Sequence, residues 1–229
     1  MLALALGLAS AFAHADEATW KLLYEQANKY QSVESFGQAE KFAREAVYEA
    51  ERTFGENDAR TADSLDALAR ILVFSKKPIE AEIQWRRVLR IRAAVLGPEA
   101  RTLAITYLNI ASALIRSNQI TEAEAEAMFA RAARIIEKTD GRGSGLYAAA
   151  LFQLGAARVI VGQYAAAEEA LRQALAIREK IDGPDSLEVS RTLNNLALAA
   201  EAQGKKEEAK VWRKRSLDIL QAAPVQMKK

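Results

Sequence analysis

Few residues in this sequence could carry chemistry. The one histidine is His14, and there is no cysteine. His14 lies in the leading apolar segment expected to be removed, so no His-based triad, Cys–His pair or zinc site of the H-E-x-x-H kind can be assembled. Carboxylates are plentiful, but Glu80/Glu82 and Glu122/Glu124 stand two residues apart on helical stretches. Side chains two apart on a helix do not face each other. The run Gly141-Arg142-Gly143-Ser144-Gly145 has the composition of a phosphate loop. It follows a helical stretch instead of the strand that a dinucleotide fingerprint requires, so it reads as a connection. Trp20, Trp85 and Trp212 share no register and offer no stacking platform for bases or sugars. Trp85 falls where Phe129 and Leu171 fall in their own segments, a core position. No cofactor, metal or enzymatic activity follows from these residues.

Charge narrows the partners. The totals of 32 basic and 30 acidic residues leave a formal charge of +2, which gives no general reason to expect nucleic acid or an anionic membrane. Two basic clusters occur, Arg86, Arg87, Arg90 and Arg92, then Lys205, Lys206, Lys210, Arg213, Lys214 and Arg215. Glu80 and Glu82 flank the first, while Glu207, Glu208 and Asp218 interleave with the second, so both read as solvated helix faces.

Half the residues are apolar, with 11 glycines and 4 prolines. That composition favours an ordered helical chain. Residues 1–15 form an apolar run closed by Ala13-His14-Ala15. Small residues at these positions fit a signal-peptidase site, with Asp16 as the mature start, although a charged leading region is missing. The run is short for a membrane span, which needs about 20 residues. The expectation is export to the periplasm or beyond, without membrane insertion of the mature form. A retained capping helix, in a cytoplasmic protein, is the alternative.

From Asp16 onward the elements that must position any site repeat themselves. Small residues early in successive helices stand at Ala39, Ala81, Ala125, Ala167 and Ala209, separated by 42, 44, 42 and 42 residues. Leu65, Tyr107, Leu151 and Leu193 correspond in the preceding helices, as do Leu68, Ile110, Leu154 and Leu196. Ala69, Ala111, Gly155 and Ala197 follow directly. The 44-residue step has two extra residues between Asn118 and Ala125. The stretch Leu146 to Ile181 shows the unit best, two amphipathic helices around a turn at Gly162-Gln163-Tyr164-Ala165. One such hairpin cannot bury its own apolar face, so the repeats must stack into a solenoid. Five hairpins are expected at about 19–60, 61–101, 102–145, 146–190 and 191–221. They make one all-α solenoid over 16–221, followed by a tail over 222–229.

Several phrases resemble the tetratricopeptide repeat of the kinesin light chain type. They are Thr192-Leu193-Asn194-Asn195-Leu196-Ala197 with Gly204 and Glu208-Ala209, and Gly162-Gln163-Tyr164-Ala165-Ala166-Ala167-Glu168. Arg172-Gln173-Ala174-Leu175-Ala176-Ile177-Arg178-Glu179-Lys180 closes one copy, and Arg131-Ala132-Ala133-Arg134-Ile135-Ile136-Glu137-Lys138 another. Glu34, Lys76 and Asn118 depart from the pattern by replacing the turn glycine, and the first hairpin is degenerate.

The resemblance implies a right-handed superhelix whose first helices line a concave groove that takes a protein or peptide. On that pattern repeat one offers Lys21, Tyr24, Asn28, Gln31 and Ser32, and repeat two Asp63, Asp66, Arg70, Val73 and Phe74. Repeat three offers Ile105, Leu108, Ser112, Ile115 and Arg116, and repeat four Ala149, Phe152, Ala156, Val159 and Ile160. Repeat five offers Arg191, Asn194, Leu198, Glu201 and Ala202. Apolar contact would come from Phe74, Leu108, Ile115, Phe152 and Val159, and orientation from Arg70, Arg116, Arg191 and Asn194. An apolar trough with a polar rim suits an amphipathic helix or extended peptide. Alternatively these side chains pack against the next hairpin. A self-associating scaffold forming a homodimer, and a regulatory subunit of an exported envelope enzyme, remain open.

Overall fold

The structure, a computed structural model, describes residues 2–116 and 121–222, and of residues 2–15, 116 and 122 only the backbone. It contains α1 (Leu2–Ser32), α2 (Phe36–Phe54), α3 (Ala59–Phe74), α4 (Pro78–Leu96) and α5 (Arg101–Arg116). These are followed by α6 (Glu122–Asp140), α7 (Gly145–Ile160), α8 (Tyr164–Asp182), α9 (Leu187–Ala202) and α10 (Lys206–Ala222). The described residues form an all-α helical repeat solenoid. The chain divides into two compact units, Met1–Thr106 and Tyr107–Lys229. The reading of 1–15 as an export signal rests on side chains outside the described residues, as does Asn118.

Polar residues punctuate the helices where the sequence supplies them. The Asp58, Ser144 and Ser186 side chains accept from the Arg60, Tyr147 and Val189 amides and so start α3, α7 and α9. Thr121 and Glu124 form a reciprocal capping box at the start of α6. Such caps satisfy amides that the first turn leaves without partners, each contributing about 1 kcal/mol. Gly141 caps α6 and Ser144 caps α7, so the glycine run is a connection between two helices.

In the first unit Ala39 and Ala81 are fully buried, letting each second helix approach its own first helix. Leu65, Ile71, Leu72 and Trp85 complete the interior around them. In the second unit Ala125 and Ala167 play the same part, and Phe129 and Leu171 occupy the large core position. Burying each such large side chain contributes about 1.5–3 kcal/mol. Trp212 is half-buried and packs on the clusters formed by α8, α9 and α10.

Candidate functional site

In the first unit, α1 and α3 run side by side as first helices, and a recess of about 360 Å³ opens near their C-terminal ends. Asn28, Gln31 and Ser32 of α1 line it together with Arg70 and Phe74 of α3. Glu34 from the α1–α2 turn and Phe36 at the start of α2 complete the wall. The Phe36 and Phe74 rings stack with centroids 5.2 Å apart and planes 4° apart, and Phe74 remains 58% exposed. The five first-helix residues all belong to the face expected from the repeat pattern. Glu34 and Phe36 were not anticipated there, because Glu34 lies in the turn and Phe36 opens α2, a second helix, outside the stripe of the first helices.

The carboxylates of this unit serve the scaffold. Arg92 is buried and holds Asp63 at 2.8 Å and Asp66 at 3.8 Å. Its other terminal nitrogen donates to Thr106 at 2.9 Å, while Trp85 Nε1 donates to Asp66 at 2.9 Å. Arg70 Nε lies 3.8 Å from Asp66, beyond hydrogen-bonding distance. Asp63 and Asp66 are therefore already matched from within the hairpin.

In the second unit a recess of about 230 Å³ opens between α5 and α7. Ser112 and Ile115 of α5 face Gln153, Ala156, Ala157 and Ile160 of α7 across it, with Phe129 of α6 also lining it. Gln153 donates to Ser112 at 3.3 Å, and no lining side chain carries a formal charge. Ser112, Ile115 and Ala156 are brought together as the sequence pattern places them. Leu108 is half-buried, and Arg191 and Asn194 are exposed on α9. Arg191 pairs with Glu188 at 2.9 Å, and Asn195 donates to the Arg191 carbonyl within its own helix. The Arg116 side chain lies outside the described residues.

Phe152 and Val159 sit differently. Both pack against the core cluster of Ala167, Leu171, Leu196 and Ala199. Arg178, itself buried, places its guanidinium 4.6 Å over the Phe152 ring and donates to Thr192 and the Glu188 carbonyl. Burial pulls the Arg178 pKa down against the opposing pull of Glu188 and Asp182. Helical period fixes the angle of Phe152 around its axis but not how deeply the next hairpin covers it.

The outer seams carry a recurring ionic staple that sequence reasoning missed. Between α2 and α4, Arg44 pairs with Glu80 at 2.6 Å, Lys77 with Glu40 at 2.9 Å and Arg87 with Glu51 at 2.5 Å. The same three bridges return 128 residues on (Lys77 to Lys205), three repeat periods later. There Arg172 meets Glu208 at 2.9 Å, Lys205 meets Glu168 at 2.7 Å and Arg215 meets Glu179 at 2.5 Å. The sequence signal was available as opposite charges 36 or 37 residues apart. Burial would raise the Glu168 carboxyl, but hydrogen bonds from Lys205, Arg172 and Gln203 outweigh it and hold it at about 2. Among the described residues, no group of His, Cys, Asp or Glu side chains could hold a metal, and no helix is long and apolar enough to cross a membrane.

These helices match known repeats. Tetratricopeptide repeat models match residues 61–99, 122–180 and 148–222, together well over half the chain. No curated protein matches the sequence. Among solved structures, a kinesin light chain-type protein of Podosopora anserina with nearly identical TPR-like repeats is similar, with 23% identity and a TM-score of 0.74. That match covers 87% of this chain and 93% of the other. BtubC (BKLC) from P. vanneervenii gives 21% identity and a TM-score of 0.76, over 96% of this chain and 92% of its own. MamA gives 19% and 0.63, over 89% and 92%. The chain belongs to the tetratricopeptide repeat family, with a fold of the kinesin light chain type, which is that of a protein–protein interaction scaffold.

Proposed function

We propose that the protein is an exported, non-catalytic interaction module that binds a peptide or partner helix on the face formed by its first helices. The observation that carries this reading is the presence of a recess between consecutive first helices in each unit, lined largely by residues of that face. Exposed apolar side chains clustered in a concavity are the usual mark of a contact surface. Phe74 and Ile115 supply contact, with Arg70, Ser112 and Gln153 as polar neighbours. Phe152 and Val159 support the wall from within the hairpin. Export rests on the apolar run closed by Ala13-His14-Ala15.

Affinity purification from the envelope fraction tests both parts, comparing wild type with Phe74→Asp and Ile115→Asp. A partner lost in either variant, with helical circular dichroism retained and Asp16 as the first residue, is the expected result. Unchanged recovery of the partner by both folded variants would overturn the groove reading, and an intact Met1 terminus the export reading.

A further inference from the structure

We infer that the recess of the second unit is a subsite for one large uncharged apolar side chain of the partner, of the size of leucine. This rests on the groove reading and specifies what one part of it selects. Four observations carry it. The space is about 230 Å³, below the roughly 300–1,000 Å³ of small-molecule sites, so it has room for a side chain and little more. Its floor is apolar and closed, since Phe129 and Ala157 are buried at 2% exposure each. Ile115 and Ala156 form half-buried walls, and Ile160 stands at the rim, 58% exposed. The charge pattern selects the occupant, because no lining residue could compensate a buried charge. The first unit's recess contains both Arg70 and Glu34 and so lacks this selectivity.

The seam beneath the second recess also differs. Where α10 and the residue before it present Lys205, Glu208 and Arg215, the matching positions at α8 are Gln163, just before the helix, Ala166 and Gln173. Those residues cannot form the ionic staple. The subsite therefore lies at a junction without that three-bridge staple, where Arg158 of α7 pairs instead with Glu126 of α6 at 3.0 Å.

Capped host peptides acetyl-Ala-Ala-X-Ala-Ala-amide, with X as leucine, aspartate or lysine, test the assignment on the full chain. Methyl chemical shifts of Ile115 and Ile160 report binding. The leucine peptide is expected to give saturable shifts, with the charged peptides at least tenfold weaker. Ala156→Leu fills the recess from its wall and is expected to abolish the shifts while leaving the melting temperature within a few degrees. Equal response to leucine and aspartate, or unchanged shifts in A156L, would overturn the subsite. Loss of folding in A156L shifts that comparison to Ala156→Ser, whose polar wall is expected to weaken the leucine peptide severalfold; no weakening overturns the subsite equally. Because no natural partner is needed, failure here with a partner still lost on Phe74→Asp leaves the groove standing and removes only the subsite.

Discussion

The two units solve the same local problems with different residues. In four hairpin turns among the described residues the chain reverses through one left-handed backbone position. In the second unit Gly162 and Gly204 occupy it at φ 79° and 78°. In the first unit Glu34 and Lys76 occupy it at φ 58° and 60°. Both units nevertheless carry the same three-bridge staple on an outer seam. Stacking of the repeats imposes the turn whatever residue fills it, and the strain is tolerated where packing over-determines the backbone. What varies freely is the lining of the recesses, charged and aromatic in one unit and uncharged in the other. On a repeat scaffold, specificity belongs to such grafted surfaces.

The sharpest break in this comparison lies at the helix crossing inside each hairpin. Ala69 fills the position in the first unit, and in the second Gly155 fills it in the hairpin between those that carry Ala111 and Ala197. A Cβ on Gly155 would sit 2.5 Å from Leu171 Cγ and 3.3 Å from the Ala167 carbonyl. Leu171 is fully buried among Ala167, Leu196 and Ala199 and has little room to yield. Gly155→Ala is therefore expected to lower stability in urea unfolding by about 2–3 kcal/mol, despite the better helix propensity of alanine. A neutral or stabilising result would show that these two helices do not approach so closely.

Much of this was legible in the sequence, and the reason is periodicity. The anchors Ala39, Ala81, Ala125 and Ala167 are fully buried, and Ala209 nearly so, because helix crossings demand small residues at one phase of the repeat. Trp85 in the core followed from the same phase. Phe152 shows where period stops informing. It lies on the expected side of α7 but is half-covered, since depth depends on Arg178 and the neighbouring core across the hairpin. The basic clusters were legible as charged outer faces except at Arg92, which is buried against Asp63 and Thr106. The seam bridges were not legible, because pairing links residues 36 or 37 apart and needs the stacking distance. Glu34 and Phe36 lie outside the pattern at the first recess because a turn has no stripe to read and Phe36 belongs to a second helix, α2.

The staples offer a smaller test, through pH. Glu168 accepts from Lys205, Arg172 and Gln203, whereas Glu40, its counterpart three repeats earlier, accepts from Lys77 and Arg44. Burial opposes ionisation at both sites, but the donors prevail and both carboxyls titrate below 4.5, Glu168 at about 2. A depressed folded-state pKa gives stability that is present above the ordinary value of 4.5 and lost as pH falls toward the folded value. Glu168→Gln is expected to lose about 1–2 kcal/mol at neutral pH, after allowing for the screening of partners that are 40–51% exposed. The gap from wild type should close between about pH 4.5 and 2. Glu40→Gln should show the same direction with a smaller loss. Equal unfolding midpoints for wild type and Glu168→Gln at pH 7 would mean the staple sets register without adding stability.

The turns give the smallest effect and the cleanest exchange between units. A left-handed conformation costs an L-residue about 1–2 kcal/mol, and glycine avoids this at an entropic cost of about 0.5–1 kcal/mol in the unfolded chain. Among the described residues, no ion pair or hydrogen bond of the Glu34 or Lys76 side chain offsets the strain. Glu34→Gly and Lys76→Gly are each expected to raise stability by about 0.5–1 kcal/mol. Gly162→Ala and Gly204→Ala should lower it by a similar amount, although open space surrounds both glycines. The opposite signs separate backbone strain from crowding, because no atom lies within 4 Å of a Cβ at Gly162 or Gly204. Urea midpoints for the four variants decide it. If Lys76→Gly destabilises, the first unit holds its turn without strain, and the two units differ in backbone energetics as well as in residue type.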